Sequence, residues 1–277
     1  MNKVAFLTMD VESYFDTSCL KNKKIEIDQK YNCAEEILNY ANFLSKHNIK
    51  GTFFVTVDFI KYSKEYLLEA IKQGHEIALH CLTHHSYKKY DKESFRKELI
   101  ESKRIILEEL GVEPVGFRFP RWEYKKELFD VLLEEGFIYD SSVIRPNHSF
   151  KKVHGYVYIR NGLFEYAPNI WKFPFKTVLL SGGGFYRFLK GTSMSKVLRK
   201  HIKNHDTFMI YFHPFEIHKG YLPMPKRGLL SVQKKYLQKN REVYLDSIEQ
   251  MISYLKEQGY TFSNMKEYAL AKQKEYK

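Results

Sequence analysis

Two histidines four positions apart, His80 and His84, fall in the stretch Gly74–His85, G-H-E-I-A-L-H-C-L-T-H-H. Imidazole is the commonest protein metal ligand near neutral pH. Two imidazoles do not close a tetrahedral zinc site, and the N-terminal run Thr8–Glu12, T-M-D-V-E, offers two carboxylates, Asp10 and Glu12. In an extended chain residues two apart share a side, so Asp10 and Glu12 project together while Val11 turns away. One of the pair can ligate a metal while the other takes a proton. Two histidines, one carboxylate and an open water position describe a hydrolytic metal site. Amide hydrolysis also needs a proton for the departing nitrogen, because an amide anion is a very poor leaving group. His213 is the best candidate for that acid.

The elements that must position these residues alternate. Compact apolar runs at Val4–Met9, Thr52–Val57, Glu76–Leu79, Pro114–Phe119, Phe137–Tyr139, Thr207–Phe212 and Tyr260–Phe262 predict strands. Between them a helical period covers Ala34–His47, Lys64–Gln73, Lys92–Leu110, Tyr124–Glu135, Ser193–Lys203 and Ser231–Gln258, with glycines such as Gly74, Gly111, Gly136 and Gly259 as stops. Alternating strands and helices imply parallel pairing through right-handed crossovers. Asp10, His80, Arg118, Asp140 and His213 all fall at strand C-terminal ends, where barrels of this kind carry their sites. A doubly wound open sheet would gather its ligands at one switch point instead. The expected fold is therefore α/β, a distorted (β/α) TIM-like barrel of about seven strands, with residues 1–277 forming a single domain. Residues 143–180 resist assignment beyond an extended Trp171–Leu180, and Ser181–Gly184 reads as a rim loop without the lysine of a phosphate loop.

Composition narrows the class. With 44% hydrophobic residues the chain can fill a core. Its three cysteines, widely spaced and odd in number, suggest neither a disulfide framework nor a cysteine zinc site, so a reducing compartment fits. The N-terminus lacks the apolar region of a signal peptide and no stretch is long enough to span a membrane. A cytoplasmic protein is expected, with peripheral attachment to the inner membrane face leaving no mark of this kind. The formal charge of +12 raises polyanions as partners, but the lysine clusters are short, dispersed and mixed with glutamates, so no nucleic acid is expected.

Taken in order, Thr8–Glu12, His80-Cys-Leu-Thr-His84, Arg118-Phe-Pro120, Tyr139-Asp140-Ser-Ser and Tyr211-Phe-His213-Pro214 resemble the polysaccharide deacetylase family, also called the NodB-homology or carbohydrate esterase family 4. Ser181–Arg187 and His213–Glu216 resemble its exopolysaccharide-associated branch. The resemblance implies a NodB-type barrel and a divalent metal, zinc first with cobalt or nickel as alternatives. It also implies removal of an N-acetyl group from a sugar in a surface glycan or its precursor. By the same resemblance Asp10 is the general base, His80 and His84 are metal ligands, Arg118 orients Asp10 and His213 is the general acid. Val11 stands where the family has its second aspartate, which passes the ligand role to Glu12. Asp140 either holds the His213 tautomer or caps a turn. Pro120 and Trp122 are candidate substrate contacts, and Arg121-Trp122 puts a cation and a large ring at the rim. Two competing readings keep the fold: hydrolysis of a small non-sugar amide or imide, and an inactive member that only binds glycan. The sequence leaves the oligomeric state and the sugar open.

Overall fold

The sheet grows outward from one strand, β1 (Lys3–Val11), whose residues from Val4 onward are all buried. The computed structural model describes residues 3–142 and 157–275, apart from 18, 21–22, 24, 26, 161–162, 167–169, 174–175, 180–185, 190 and 203–205. To β1 are added β2 (Thr52–Val55), β3 (Glu76–Leu79), β4 (Gly116–Phe117) and β5 (Tyr139–Asp140), then the hairpin β6 (Val157–Arg160) and β7 (Leu163–Tyr166). A separate hairpin joins β8 (Ile170–Phe173) to β9 (Lys176–Leu179), and β10 (Thr207–Phe212) and β11 (Tyr260–Phe262) complete the set. The sheet order is β10-β1-β2-β3-β4-β5-β7-β6, with β11 paired to the first residues of β1. Seven strands of that path, β10 through β7, run parallel and only β6 is antiparallel. No pairing joins β10 to β6 among the described residues, so the sheet is a curled, open half-barrel.

Alternation along β1 sets up everything that follows. Ala5, Leu7, Met9 and Val11 pack in the outer core beneath the helices, whereas Val4 and Phe6 belong to the inner cluster with Phe54, Ala78, Tyr139 and Met209. By the same period Thr8 and Asp10 face the interior. The outer layer begins with α1 (Glu36–Lys46), α2 (Ile60–Lys72), α3 (Lys92–Leu110) and α4 (Leu128–Glu134), which alternate with β1–β5. Asp91 caps α3 by accepting from the Ser94 amide at 2.7 Å, and Gly111 (φ 70°) ends it in the left-handed conformation that glycine adopts at least cost. Further on lie α5 (Gly191–Ile202), α6 (Ser231–Gln238), α7 (Tyr244–Glu257) and α8 (Met265–Glu275).

The expected single helix over 231–258 is two. Asn240 takes φ 59°, and the next residue, Arg241, is buried with its Nη2 donating to the Gly220 carbonyl at 2.8 Å. That anchor turns the chain between α6 and α7. Helix α8, which the sequence reading missed, closes the lower end: the Met265 and Lys266 amides donate to Thr52 Oγ1 (3.0 Å) and Glu76 Oε2 (2.9 Å). The glycine triplet 182–184 lies outside the described residues. No helix among the described residues is long and apolar enough to cross a membrane.

One glycine is dictated by a close approach. A Cβ on Gly116 would lie 1.9 Å from the Tyr139 ring, whose hydroxyl donates to buried Glu76 at 2.7 Å. Moving that ring breaks the bond, so Gly116→Ala is expected to cost about 2–3 kcal/mol, the upper part of the overpacking range. Urea unfolding measures it; a loss below about 0.5 kcal/mol would mean that Tyr139 has another place to go.

Candidate active site

The interior side of β1 delivers Asp10 to the upper mouth of the sheet, and Glu12 follows one residue past the strand end. Both are 3% exposed, but they meet different partners. Asp10 Oδ1 accepts from Arg118 Nη1, which also donates to Thr8 Oγ1 at 3.1 Å, while Arg118 Nη2 donates to Ser141 Oγ at 2.8 Å. Arg118 is wholly buried, with its guanidinium carbon 3.8 Å from the centre of the Phe54 ring. A charge so deeply placed requires its counterion, and Asp10 provides it. The carboxylate is thereby fixed in one orientation.

Glu12 faces the histidines. Its Oε2 lies 2.6 Å from His84 Nε2 and 3.8 Å from His80 Nε2, and one ligand atom from each of the three residues falls within 4.8 Å of the others. His80 is buried, and its Nδ1 lies 2.7 Å from the Arg118 carbonyl. A ring that donates there turns its Nε2 lone pair toward Glu12, the arrangement by which proteins orient a ligating imidazole. Burial pushes the His80 pKa down to about 4, so the ring is neutral. Burial would raise Glu12, but His84, His213 and His80 around it hold its carboxyl down at about 2. Despite that proximity Glu12 Oε2 makes no hydrogen bond, and it is buried. A buried, ionised oxygen without a donor, beside two imidazole nitrogens, fits a divalent cation, and the N2O donor set suits zinc.

His213 closes the other side, immediately after β10. Its Nε2 is 3.6 Å from Glu12 Oε1, and its Nδ1 is 3.3 Å from Glu216 Oε2. Burial disfavours the charged ring, but Glu12 and Glu216 outweigh it and raise the pKa to about 9. The ring therefore carries a proton at neutral pH. These groups line a cavity of about 290 Å³ together with Tyr211, Trp122 and Arg121. Arg121 and Trp122 take φ 57° and 59°, a left-handed conformation that is strained for such residues and that concentrates at functional sites.

Residues 25–139 match the profile described as polysaccharide deacetylase. This stretch of the chain therefore carries a polysaccharide deacetylase domain match. Residues 145–270 match a domain of unknown function (DUF3473), so His213 falls in the second match and Asp10 and Glu12 precede the first. Among curated family members, the peptidoglycan deacetylase of Helicobacter pylori is 26% identical over 99 residues, 36% of this chain and 34% of that protein. The chitooligosaccharide deacetylase of a Bradyrhizobium species is 25% identical over 96 residues, 34% of this chain and 42% of that one. The chain thus spans less than half the length of either relative. Among solved structures, a candidate polysaccharide deacetylase from Mycobacterium smegmatis superposes with a TM-score of 0.66 at 18% identity, covering 100% of this chain and 92% of that one. The Puue allantoinase gives 0.64 at 15% identity, covering 97% and 89%. At these identities the likeness is one of fold.

Two of the expected site residues, Pro120 and Asp140, are not among those lining the cavity, and of the two roles left open for Asp140 the structure shows the turn cap. Pro120 is buried, opens the short 3-10 turn Pro120–Trp122 and does not line the cavity, whereas Trp122 does. Asp140 does not hold His213: its carboxylate accepts from the Ser142 amide (2.8 Å) and hydroxyl (2.6 Å), and Glu216 stands at His213 instead. The sequence reading passed over Tyr211 and Glu216. Tyr211 was signalled by strand alternation, two residues before His213. Glu216 had a weaker signal, the spacing of three that brings it back beneath His213 in the 3-10 turn Pro214–Glu216.

Burial pushes the Asp140 carboxyl up to about 7 from 3.8. A carboxyl raised on folding binds a proton more tightly when folded, so its contribution is full below about pH 4 and is lost as pH rises through about 7. Asp140→Asn removes this loss while keeping the capping acceptor. Between pH 4 and 8 the variant is expected to gain on the parent by about 2–4 kcal/mol in urea unfolding, and a gap that stays constant with pH would show that the carboxyl is ionised throughout.

Proposed function

We propose that this chain is a metal-dependent N-deacetylase that hydrolyses the acetamide of an N-acetylated sugar in a surface glycan, glycolipid or precursor, the whole chain acting as one catalytic unit. The observation that carries the reading is the orphaned Glu12 oxygen facing His80 and His84, with a pinned carboxylate, Asp10, on one side and a protonated His213 on the other. Glu12, His80 and His84 would hold the metal, which when bound would lower the pKa of water to about 7 and polarise the acetyl carbonyl.

The chain's own groups supply the proton transfers. Asp10, aimed by Arg118, takes a proton from the water that adds to the acetyl carbon. His213 gives its proton to the nitrogen as the C–N bond breaks, so acetate and an amino sugar leave. Trp122 and Tyr211 meet in a T-shaped contact, ring centres 5.2 Å apart, which gives the cavity an apolar wall for a pyranose face. Acetate released from a tetramer of N-acetylglucosamine by the zinc-loaded protein tests the proposal, with allantoin as the small-amide control. Acetate release that Asp10→Asn abolishes supports it. Turnover of allantoin alone would move the chain to the small-amide reading, and turnover of neither, with metal bound, would support a glycan-binding role.

A further inference from the structure

The proton-donating side of the site is built from the segment that matches the domain of unknown function, and its side chains form a buried assembly with one unusual member. Glu216 is wholly buried. Its Oε2 accepts from the His213 amide at 3.0 Å and faces His213 Nδ1 at 3.3 Å, while its Oε1 accepts from the Tyr236 hydroxyl at 2.9 Å. Arg187 Nη2 lies 3.8 Å from the same Oε1 and donates to the Tyr236 carbonyl, and the guanidinium carbon lies 5.0 Å from the Tyr236 ring centre. Arg187 is 0% exposed, yet its Nε and Nη1 meet no acceptor. A buried guanidinium short of acceptors is costly. An apolar side chain would fill that space at less cost, so a packing role does not account for the arginine.

We infer that Arg187 and Tyr236 clamp one oxygen of Glu216 so that the other holds the His213 ring by Nδ1 and presents Nε2 to the cavity, making Glu216 a positioning residue for proton delivery. This rests on the reading of His213 as the proton donor. Both carboxylate oxygens are engaged, so the group cannot rotate about its axis, and the ring it holds is fixed in turn. The proton passes from His213 Nε2 to the departing nitrogen as the C–N bond breaks, and solvent restores it.

The test compares the parent, Glu216→Gln and the double variant Arg187→Met/Glu216→Gln, which removes both buried charges, as zinc-loaded full chains. Two acetyl compounds are used: the N-acetylglucosamine tetramer, whose amine must be protonated to leave, and 4-nitrophenyl acetate, whose phenolate leaves without a proton. Both variants are expected to lose about 100-fold in kcat on the amide, with KM within about twofold and ester turnover within about threefold of the parent. Equal losses on both compounds, or amide turnover restored in the double variant, would overturn the inference. Tyr236→Phe, which deletes one hydroxyl, carries the same comparison if the others do not fold. A parent inactive on the tetramer defeats the glycan reading, and the inference is then decided by NMR of histidine-15N-labelled protein. An exchange-protected Nδ1–H resonance, assigned to His213 by its absence in His213→Gln, is expected in the parent and lost in Glu216→Gln. Its persistence there would sink the assignment.

Discussion

His84→Ala is expected to empty the metal site: the parent, purified without chelators, should carry about one zinc-like ion per chain and the variant less than about a tenth of that. The three donor atoms come from two stretches of chain, Glu12 just after β1 and both His80 and His84 just after β3. Removing His84 deletes the nitrogen nearest to Glu12 Oε2. What remains is His80 and one carboxylate, too few ligands to compete with water and buffer. A second trio, Glu35, Glu36 and His218, also has ligand atoms within 4.8 Å of one another, but there the His218 ring is 2.9 Å from Glu36, and Glu36 also accepts from Asn39. His218→Ala is therefore the control and should keep its ion. Elemental analysis of the three proteins decides the matter. Ion loss in His218→Ala with retention in His84→Ala would move the metal to the α1 end, and no ion in the parent even after added zinc or cobalt would remove the hydrolytic reading. Chelation of the parent should lower its melting temperature as well, since a ligand held at 100 times its Kd stabilises by about 2.7 kcal/mol.

What the sequence made legible was the part governed by short-range rules. Asp10 lies on β1 and Glu12 one residue past its end, and both keep the interior side that strand periodicity assigns once Ala5, Leu7, Met9 and Val11 are packed outward. Strands β3, β10 and β11 and helix α3 were bounded by glycine, aspartate or a change of period, and they fall at the residues expected. The rest depended on contacts distant in sequence. The break between α6 and α7 is made by Arg241 reaching Gly220, and no local signal in a run of helix-favouring residues announces it. Asp140 and Glu216 illustrate the same limit at the site. Both are buried carboxylates near strand ends, and only the packed chain decides that Ser142 occupies the first while His213 meets the second. The distinction between the two N-terminal carboxylates was likewise undecidable from spacing. It is drawn by Arg118, 108 residues beyond Asp10 in the chain.

That pairing underlies the second large effect, an expected loss of about 1,000-fold in kcat for Asp10→Asn with metal content unchanged, in the middle of the range for removing a positioned base. Asparagine keeps an oxygen for Arg118 Nη1 and nearly the same volume, so the guanidinium stays where Thr8 and Ser141 also hold it. What is lost is the ability to take a proton. Arg118→Met breaks the same buried pair from the other side, so both variants lose stability, by about 3–5 kcal/mol where nothing replaces the partner; it differs in leaving the carboxylate present but no longer aimed. The two variants therefore separate roles that activity alone would merge. If Asp10→Asn is inactive but still folds, at the stability cost of leaving buried Arg118 without its counterion, and retains its ion, Asp10 acts on the proton and Glu12 is the ligand. If it is inactive because the ion is gone, the assignments are reversed and Asp10 belongs to the metal. Activity within about tenfold of the parent would mean that neither carboxylate at position 10 nor its arginine takes part in the reaction, and the base would have to be sought among the other acids near the cavity, Asp16 first, whose carboxyl is pushed up to about 6 by burial and by Glu12.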